Sequence, residues 1–340
     1  MGFRMRKSIK LGGGVRLNVS HKGVRGVSMR GKGGSVSVSK RGVTGSAGAK
    51  GIGYSKTVGW GGSKPRSAAR RRAASPPPIP SPPKPGLFAP KHEKDFHKAL
   101  TAYARGDTEG ARQLFKRSSE SDTTGRVLAD DLLAGVLSIT AGKPDEAIPH
   151  LETVVRSDVP LPDELMSKYG VAGVLKLDVT ENVEVAVDFG SLAAALALAE
   201  CYQEAGRIDE AIGLLQQLVE AQRDPAIVLS LCDLYAQQEA WDEVVDVAAG
   251  NQNSDDTTLG IQLIRARALR EQGMDDAALE VLKDALRSKK RDAALLKEAR
   301  YERGRLLLDR GKKTQASKDL QAVYAEDPQY RDVAELVRAM

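Results

Sequence analysis

The chain has 340 residues, 51 of them Lys or Arg and 45 Asp or Glu, for a formal net charge of +6. That length allows two or three domains of ordinary size, and the charge shows where they divide. Residues 1–92 hold 20 bases and no acid, the first acid being Glu93; the remainder keeps 31 of the 51 bases against all 45 acids, a net −14. A basic head joined to an acidic body argues against a simple single-domain enzyme. No stretch approaches the roughly 18 consecutive apolar residues of a membrane span. The basic start Met1–Leu11 also lacks the apolar segment of a secretory signal. A cytoplasmic protein is expected.

Residues 1–62 are rich in Gly, Val and Ser. Val15–Ser20 and Ser35–Ser39 alternate with the two-residue period of a half-buried strand. A basic residue followed by glycine recurs at Lys22-Gly23, Lys32-Gly33, Arg41-Gly42 and Lys50-Gly51, with the glycines 10, 9 and 9 residues apart. Regular glycines supply tight turns between short strands, so the spacing predicts a small all-β meander or, less simply, a β-solenoid. Roughly 60 residues bury too little to be secure alone, and docking on the acidic body, or self-association, is expected. Met1-Gly-Phe-Arg-Met-Arg-Lys-Ser8 and Leu11-Gly-Gly-Gly-Val-Arg-Leu-Asn-Val-Ser20 resemble the start of an uncharacterised bacterial N-terminal domain, with Met5 and Gly13 replacing that family's usual Phe and Pro. The resemblance implies a bacterial, intracellular context and no activity.

Residues 63–91 read as a linker. Arg70-Arg-Arg72 precedes two proline clusters, Pro76–Pro80 and Pro82–Pro85, which favour extended polyproline II. A semi-rigid spacer is the plain role, and a docking peptide for a proline-binding groove the alternative.

Residues 93–340 read as helix after helix, with an internal repeat. Turn glycines stand at Gly106, Gly142, Gly206, Gly273 and Gly311, with Glu239 as a degenerate member. Five residues after each comes Ala111, Ala147, Ala211, Val244, Ala278 and Ala316; four further on come Phe115, Leu151, Leu215, Ala248, Leu282 and Leu320. Seven before each turn is another small side chain: Ala99, Gly135, Ala199, Cys232, Ala266 and Gly304. This is the spacing of a helical hairpin, closed by a left-handed glycine and packed tightly through its small residues. One hairpin cannot bury its own apolar stripe, so copies must stack. The pattern resembles tetratricopeptide repeats, with Tyr202, Tyr235 and Trp241 at favoured aromatic positions and Pro328 at a repeat end. The fold class expected is therefore mainly α: an α-solenoid of about six such hairpins behind a small all-β domain.

The turns are 36, 64, 33, 34 and 38 residues apart. The 64 contains an insertion at about 160–190, with a short helix near 163–171 and strand-like alternation in Leu177–Thr180 and Val183–Asp188. It is either an elaborate linker or a lid over the groove.

Chemistry is sparse. The glycine-rich stretches make neither a phosphate loop nor a dinucleotide fingerprint, and no protease, hydrolase or calcium motif appears. Cys201 and Cys232 are too far apart for a metal knuckle, and Cys232 sits at a packing position. Asp130-Asp131 and Asp255-Asp256 read as helix caps. No catalytic set, cofactor or metal is expected. In the resembled family the first helix of each hairpin lines a concave groove. This implies a partner-binding face at Leu196, Glu200 and Gln203, then Leu229, Asp233 and Gln237, then Leu263, Arg267 and Arg270, then Tyr301, Arg305 and Asp309. Arginine forks there suit a carboxylate, such as a peptide terminus. The expected function is a non-enzymatic scaffold for a protein or peptide partner. The alternative is nucleic-acid or other polyanion binding by the basic head.

Overall fold

The computed structural model describes residues 82–340 apart from 123, 124 and 126, together with the backbone of six strands between residues 5 and 58. The linker expected at 63–91 lies outside the described residues up to residue 81. By its contacts the chain divides into two units: Met1–Leu177 with Ala186–Arg207, and Asp178–Val185 with Ile208–Met340.

In the first unit, β1 (Met5–Leu11), β2 (Val15–Ser20), β3 (Gly23–Gly31), β4 (Gly34–Ser39), β5 (Gly42–Ala49) and β6 (Ile52–Val58) form an antiparallel meander in chain order. The solenoid alternative is thereby set aside. Register explains why the alternating sequence pairs this way. Ile9, Leu17, Val27, Val38, Val43 and Val58 stand opposite one another in one row. The next row is wholly polar: Lys10, Arg16, Ser28, Ser37, Thr44 and Thr57. A one-residue slip in any strand would mix the rows.

The sheet does not stop at β1. Strand β7 (Ala172–Asp178), from the insertion, pairs antiparallel with β1, from Met5 opposite Leu177 to Lys10 opposite Ala172. β8 (Glu184–Asp188) follows as the edge strand. Gly173, Leu175 and Leu177 are the buried residues of β7, and Gly173 stands opposite Ile9. Gly173 has to be glycine, because a Cβ there would sit 2.8 Å from the Phe189 ring.

Among the described residues, helical hairpins follow: α1 (Lys91–Ala104) with α2 (Thr108–Ser121), α3 (Ala129–Thr140) with α4 (Pro144–Arg156), α8 (Pro225–Gln237) with α9 (Trp241–Ala248), α10 (Asp256–Glu271) with α11 (Asp275–Ala285), and α12 (Ala293–Asp309) with α13 (Lys313–Glu326). α6 (Ser191–Glu204) ends the first unit and α7 (Ile208–Ala221) follows it in the second, joined by a sixth turn of the same kind. The short helix α5 (Glu164–Tyr169) lies within the insertion, and the short helix α14 (Val333–Arg338) follows α13. All six turns close alike. The turn residue has positive φ, from 71° to 86° in the five glycines and 56° in Glu239. The next amide donates back five residues, as from Asp107 to Ala102 and from Lys312 to Leu307. The small and large residues of the repeat are buried throughout, at 3% exposure or less for every non-glycine member. Gly135 and Gly304 show the reason for smallness: a Cβ at either would lie 2.8 Å from Leu151 or Leu320 of the paired helix.

The acidic pairs divide. Asp255 caps α10, in a reciprocal box with Thr258. Asp130 and Asp131 do not cap, because they fall inside the first turn of α3. The amides of Leu128 and Ala129 are instead taken, each at 2.8 Å, by Asp163, whose other oxygen accepts from Met166 in α5.

Candidate functional site

The second unit sets three first helices side by side, α8 against α10 and α10 against α12. Period and polarity decide which residues face outward from this wall. Asp233, half-buried, accepts from the Gln237 side chain at 2.6 Å; burial raises its carboxyl pKa, opposed by that hydrogen bond and by the charge of Arg267. Arg267 itself is exposed, its guanidinium 5.2 Å above the Trp241 ring. One turn along α10, Arg270 is fully engaged, 3.0 Å from Glu302 and 2.9 Å from Glu271. Glu302 also pairs with Arg331, which stacks over Tyr301 and Tyr330 at 4.9 and 5.3 Å. An ion-pair ladder thus runs from α10 across α12 to the loop before α14.

Of the six groove residues expected, the structure gathers four of this kind on neighbouring helices: Asp233, Arg267, Arg270 and Arg305. Tyr301 differs. It is 1% exposed, and its hydroxyl donates to Asp332 at 2.5 Å while accepting from Arg305 at 3.5 Å. A ring that size fills the seam between helices, so Tyr301 supports the wall from behind. Arg305 is exposed. Glu200 lies half-buried on α6, in the other unit. Residues that sequence reasoning passed over include Arg331, Glu298 and Glu302, and Gly260 in the interior of α10. An interior helical glycine costs about 1 kcal/mol against alanine, and that was the available signal.

Neither cysteine is poised as a nucleophile. Both are buried free thiols, and burial pushes Cys232 up to about 12 and raises Cys201 as well. Among the described residues no cluster of His, Cys, Asp or Glu could hold a metal ion, and no helix is long and apolar enough to cross a membrane.

Residues 3–57 match a family model described as protein of unknown function (DUF4236). Residues 173–340 match one described as T7SS, ESX-1 secretion system protein EccA1, N-terminal domain. No curated protein matches the chain. Among solved structures, the C-terminal part of a TPR repeat-containing protein from Cytophaga hutchinsonii is 14% identical, with a TM-score of 0.50, covering 73% of this chain and 88% of that one. The N-terminal domain of the EccA1 ATPase from the ESX-1 secretion system of Mycobacterium tuberculosis is also 14% identical over 73% and 88% of the chains, with a TM-score of 0.48. YrrB, described as a TPR protein with an unusual peptide-binding site, is 12% identical over 66% and 98%, with a TM-score of 0.45. With its repeated hairpin geometry, the helical part of the chain has a tetratricopeptide-repeat-like fold, and its N-terminal region matches a family of unknown function.

Proposed function

We propose that this protein is a non-enzymatic interaction scaffold whose wall of first helices grips an acidic extended segment through Arg267 and Arg305. The observation that carries this reading is the contrast among the arginines. Arg270 and Arg331 are spent on Glu302, whereas Arg267 and Arg305 are exposed and form no salt bridge among the described residues, although the charge of Arg267 does act on Asp233. Because Arg270 stands opposite Glu302, Arg267 and Arg305 lie one turn to either side of that pair. At 1.5 Å rise per residue and a helix separation of 8–10 Å, their backbones are roughly 13 Å apart. That distance suits two carboxylates about four residues apart in an extended chain. It does not suit a single terminus held by both.

The test is the full-length double variant Arg267→Ala/Arg305→Ala, with binding measured to an acidic peptide of that spacing. Charge-assisted contacts contribute roughly 1.5–3 kcal/mol each, so affinity should fall tenfold or more while the helical signal is unchanged. Equal affinity would return both arginines to the role of solvated charges. The match to a secretion-system N-terminal domain makes components of such a system the first partners to try. The two free thiols agree with a cytoplasmic setting.

A second reading rests on the head: its 20 bases without an acid, and the row that sets Lys10 opposite Arg16, favour a polyanion. The full chain should then bind duplex DNA or RNA with an affinity that falls steeply with salt. Absence of binding at low salt would remove this reading.

A further inference from the structure

The second helices of the last two hairpins leave a cleft on the side of α12 away from the wall. Arg303 and Arg305 are two positions apart on that helix, so they face nearly opposite sides, and it is Arg303 that lines the cleft. The cleft has a volume of about 340 Å³, at the low end of ligand pockets, which run from roughly 300 to 1,000 Å³. Its apolar part is Leu279 of α11 and Leu307 of α12. Leu307 belongs to the same buried cluster as Leu320 and Val323 of α13, and Leu279 packs against that cluster half-buried. The charges around these leucines do not cancel. Arg303 donates to both oxygens of the buried Asp319, at 2.7 and 2.8 Å. Lys283 lies 3.3 Å from Glu280, with both side chains largely in solvent. Lys312 and Lys318 complete the lining; both are exposed and form no salt bridge among the described residues. The charge of Lys312 reaches Asp276, but that carboxylate is already paired with Arg310. The first turn of α13 holds no acid that could neutralise either lysine. Residues 93–340 carry a net −14, yet around this one apolar depression the cations are in excess.

We propose that the cleft is a second binding site, distinct from the wall, for an acidic partner segment that seats one large apolar side chain on Leu279 and Leu307 and turns carboxylates toward Lys312 and Lys318. Complementarity selects this occupant. A bare anion answers the lysines but leaves the leucines in water. A purely apolar segment covers the leucines and desolvates the lysines without pairing them, which is unfavourable. A segment with both features satisfies both. Residues 1–92 contain no Asp or Glu, so neither the head nor the linker can supply the carboxylates, and the occupant comes from another molecule. Because the two sites lie on opposite sides of α12, a scaffold of this kind holds one segment on the wall and another in the cleft.

The test measures binding of a labelled peptide, a central phenylalanine with glutamates on both sides, to the full-length chain carrying Arg267→Ala/Arg305→Ala. That background removes the wall's contribution, so the outcome for the cleft is separate from the fate of the proposed function. Adding Lys312→Ala/Lys318→Ala should weaken the peptide at least fivefold with the helical signal unchanged, since both lysines are exposed. Replacing the peptide's phenylalanine by serine should cost a similar factor. Adding Lys289→Ala/Lys290→Ala instead removes two exposed lysines outside the cleft and should leave the affinity as it was. No binding in the arginine background, indifference to the cleft lysines, or an equal loss from the lysines outside it would overturn the proposal. A serine peptide that binds as well as the phenylalanine one would reduce the site to a contact between charges and overturn it too. A parent dimer that Lys312→Glu/Lys318→Glu separates into monomers would make the occupant a second copy of this chain, and the partner proposed here would be withdrawn.

Discussion

Asp130 is fully buried, with one carboxyl oxygen 2.8 Å from Ser118 Oγ and the other without a partner. Ser118 has a single proton and also lies 2.7 Å from the His92 carbonyl, which can only accept it. The consistent arrangement is a protonated Asp130 donating to Ser118, which donates to His92. Burial, reinforced by the charges of Asp131, Asp163 and Asp122, holds the Asp130 pKa well above its ordinary value. A folded-state pKa above the unfolded one means that the native state binds the extra proton. Its stabilising effect is full below about pH 4, the unfolded value, and is lost as pH rises through the folded value. Asp130→Asn keeps the donor to Ser118 without the titration. Its melting temperature should exceed that of the parent at neutral pH, with the gap narrowing toward pH 4. A parent and variant that melt in parallel across that range would refute the protonated state. None of this was legible in the sequence, where two adjacent acids before an apolar run look like caps. The amides they would have capped are taken by Asp163, 33 residues further along than Asp130.

At the scale of elements, the repeat was legible because each member of its spacing has one physical job. The positive-φ turn excludes most side chains, the small positions face the partner helix across a narrow gap that at Gly135 and Gly304 leaves no room even for a Cβ, and the large apolar residue fills what remains. The fourth hairpin shows how much the register tolerates. Glu239 adopts φ 56° without being glycine, at a conformational cost of about 1–2 kcal/mol. The Ala240 amide still donates to the Tyr235 carbonyl at 2.9 Å, so the remaining contacts of the hairpin override the local preference. Strand alternation in the insertion was equally visible, since Val183, Val185 and Val187 are buried and their neighbours Glu184, Ala186 and Asp188 exposed. Where the tip would lie was not visible. Asn182 meets Glu298 across 116 residues of chain, and periodicity carries no information about pairings at that separation. Tyr301 was misplaced for a related reason. The period of α12 puts it near the wall, but its seat against Tyr330, with ring centroids 5.4 Å apart, depends on a loop whose course the repeat does not specify.

On the scale of the whole molecule, a meander of short Gly-rich strands gains its eighth-strand sheet only by pairing with a segment more than 160 residues later. This answers the difficulty raised by composition, that so small a head has too little core to stand alone. If β1 protects β7 in solution, a chain lacking residues 1–58 leaves the outer side of β7 unpaired. An unpaired strand edge exchanges its amides quickly and recruits other strands. The amides of residues 172–177 that face β1 should therefore lose hydrogen-exchange protection in the truncated chain, and light scattering should show self-association that the parent lacks. The side of β7 toward β8 serves as the internal control, because its partner strand is still present. Identical exchange across 172–177 in both proteins would mean that β1 and β7 do not pair in solution, and the head would then need another surface to cover its apolar row.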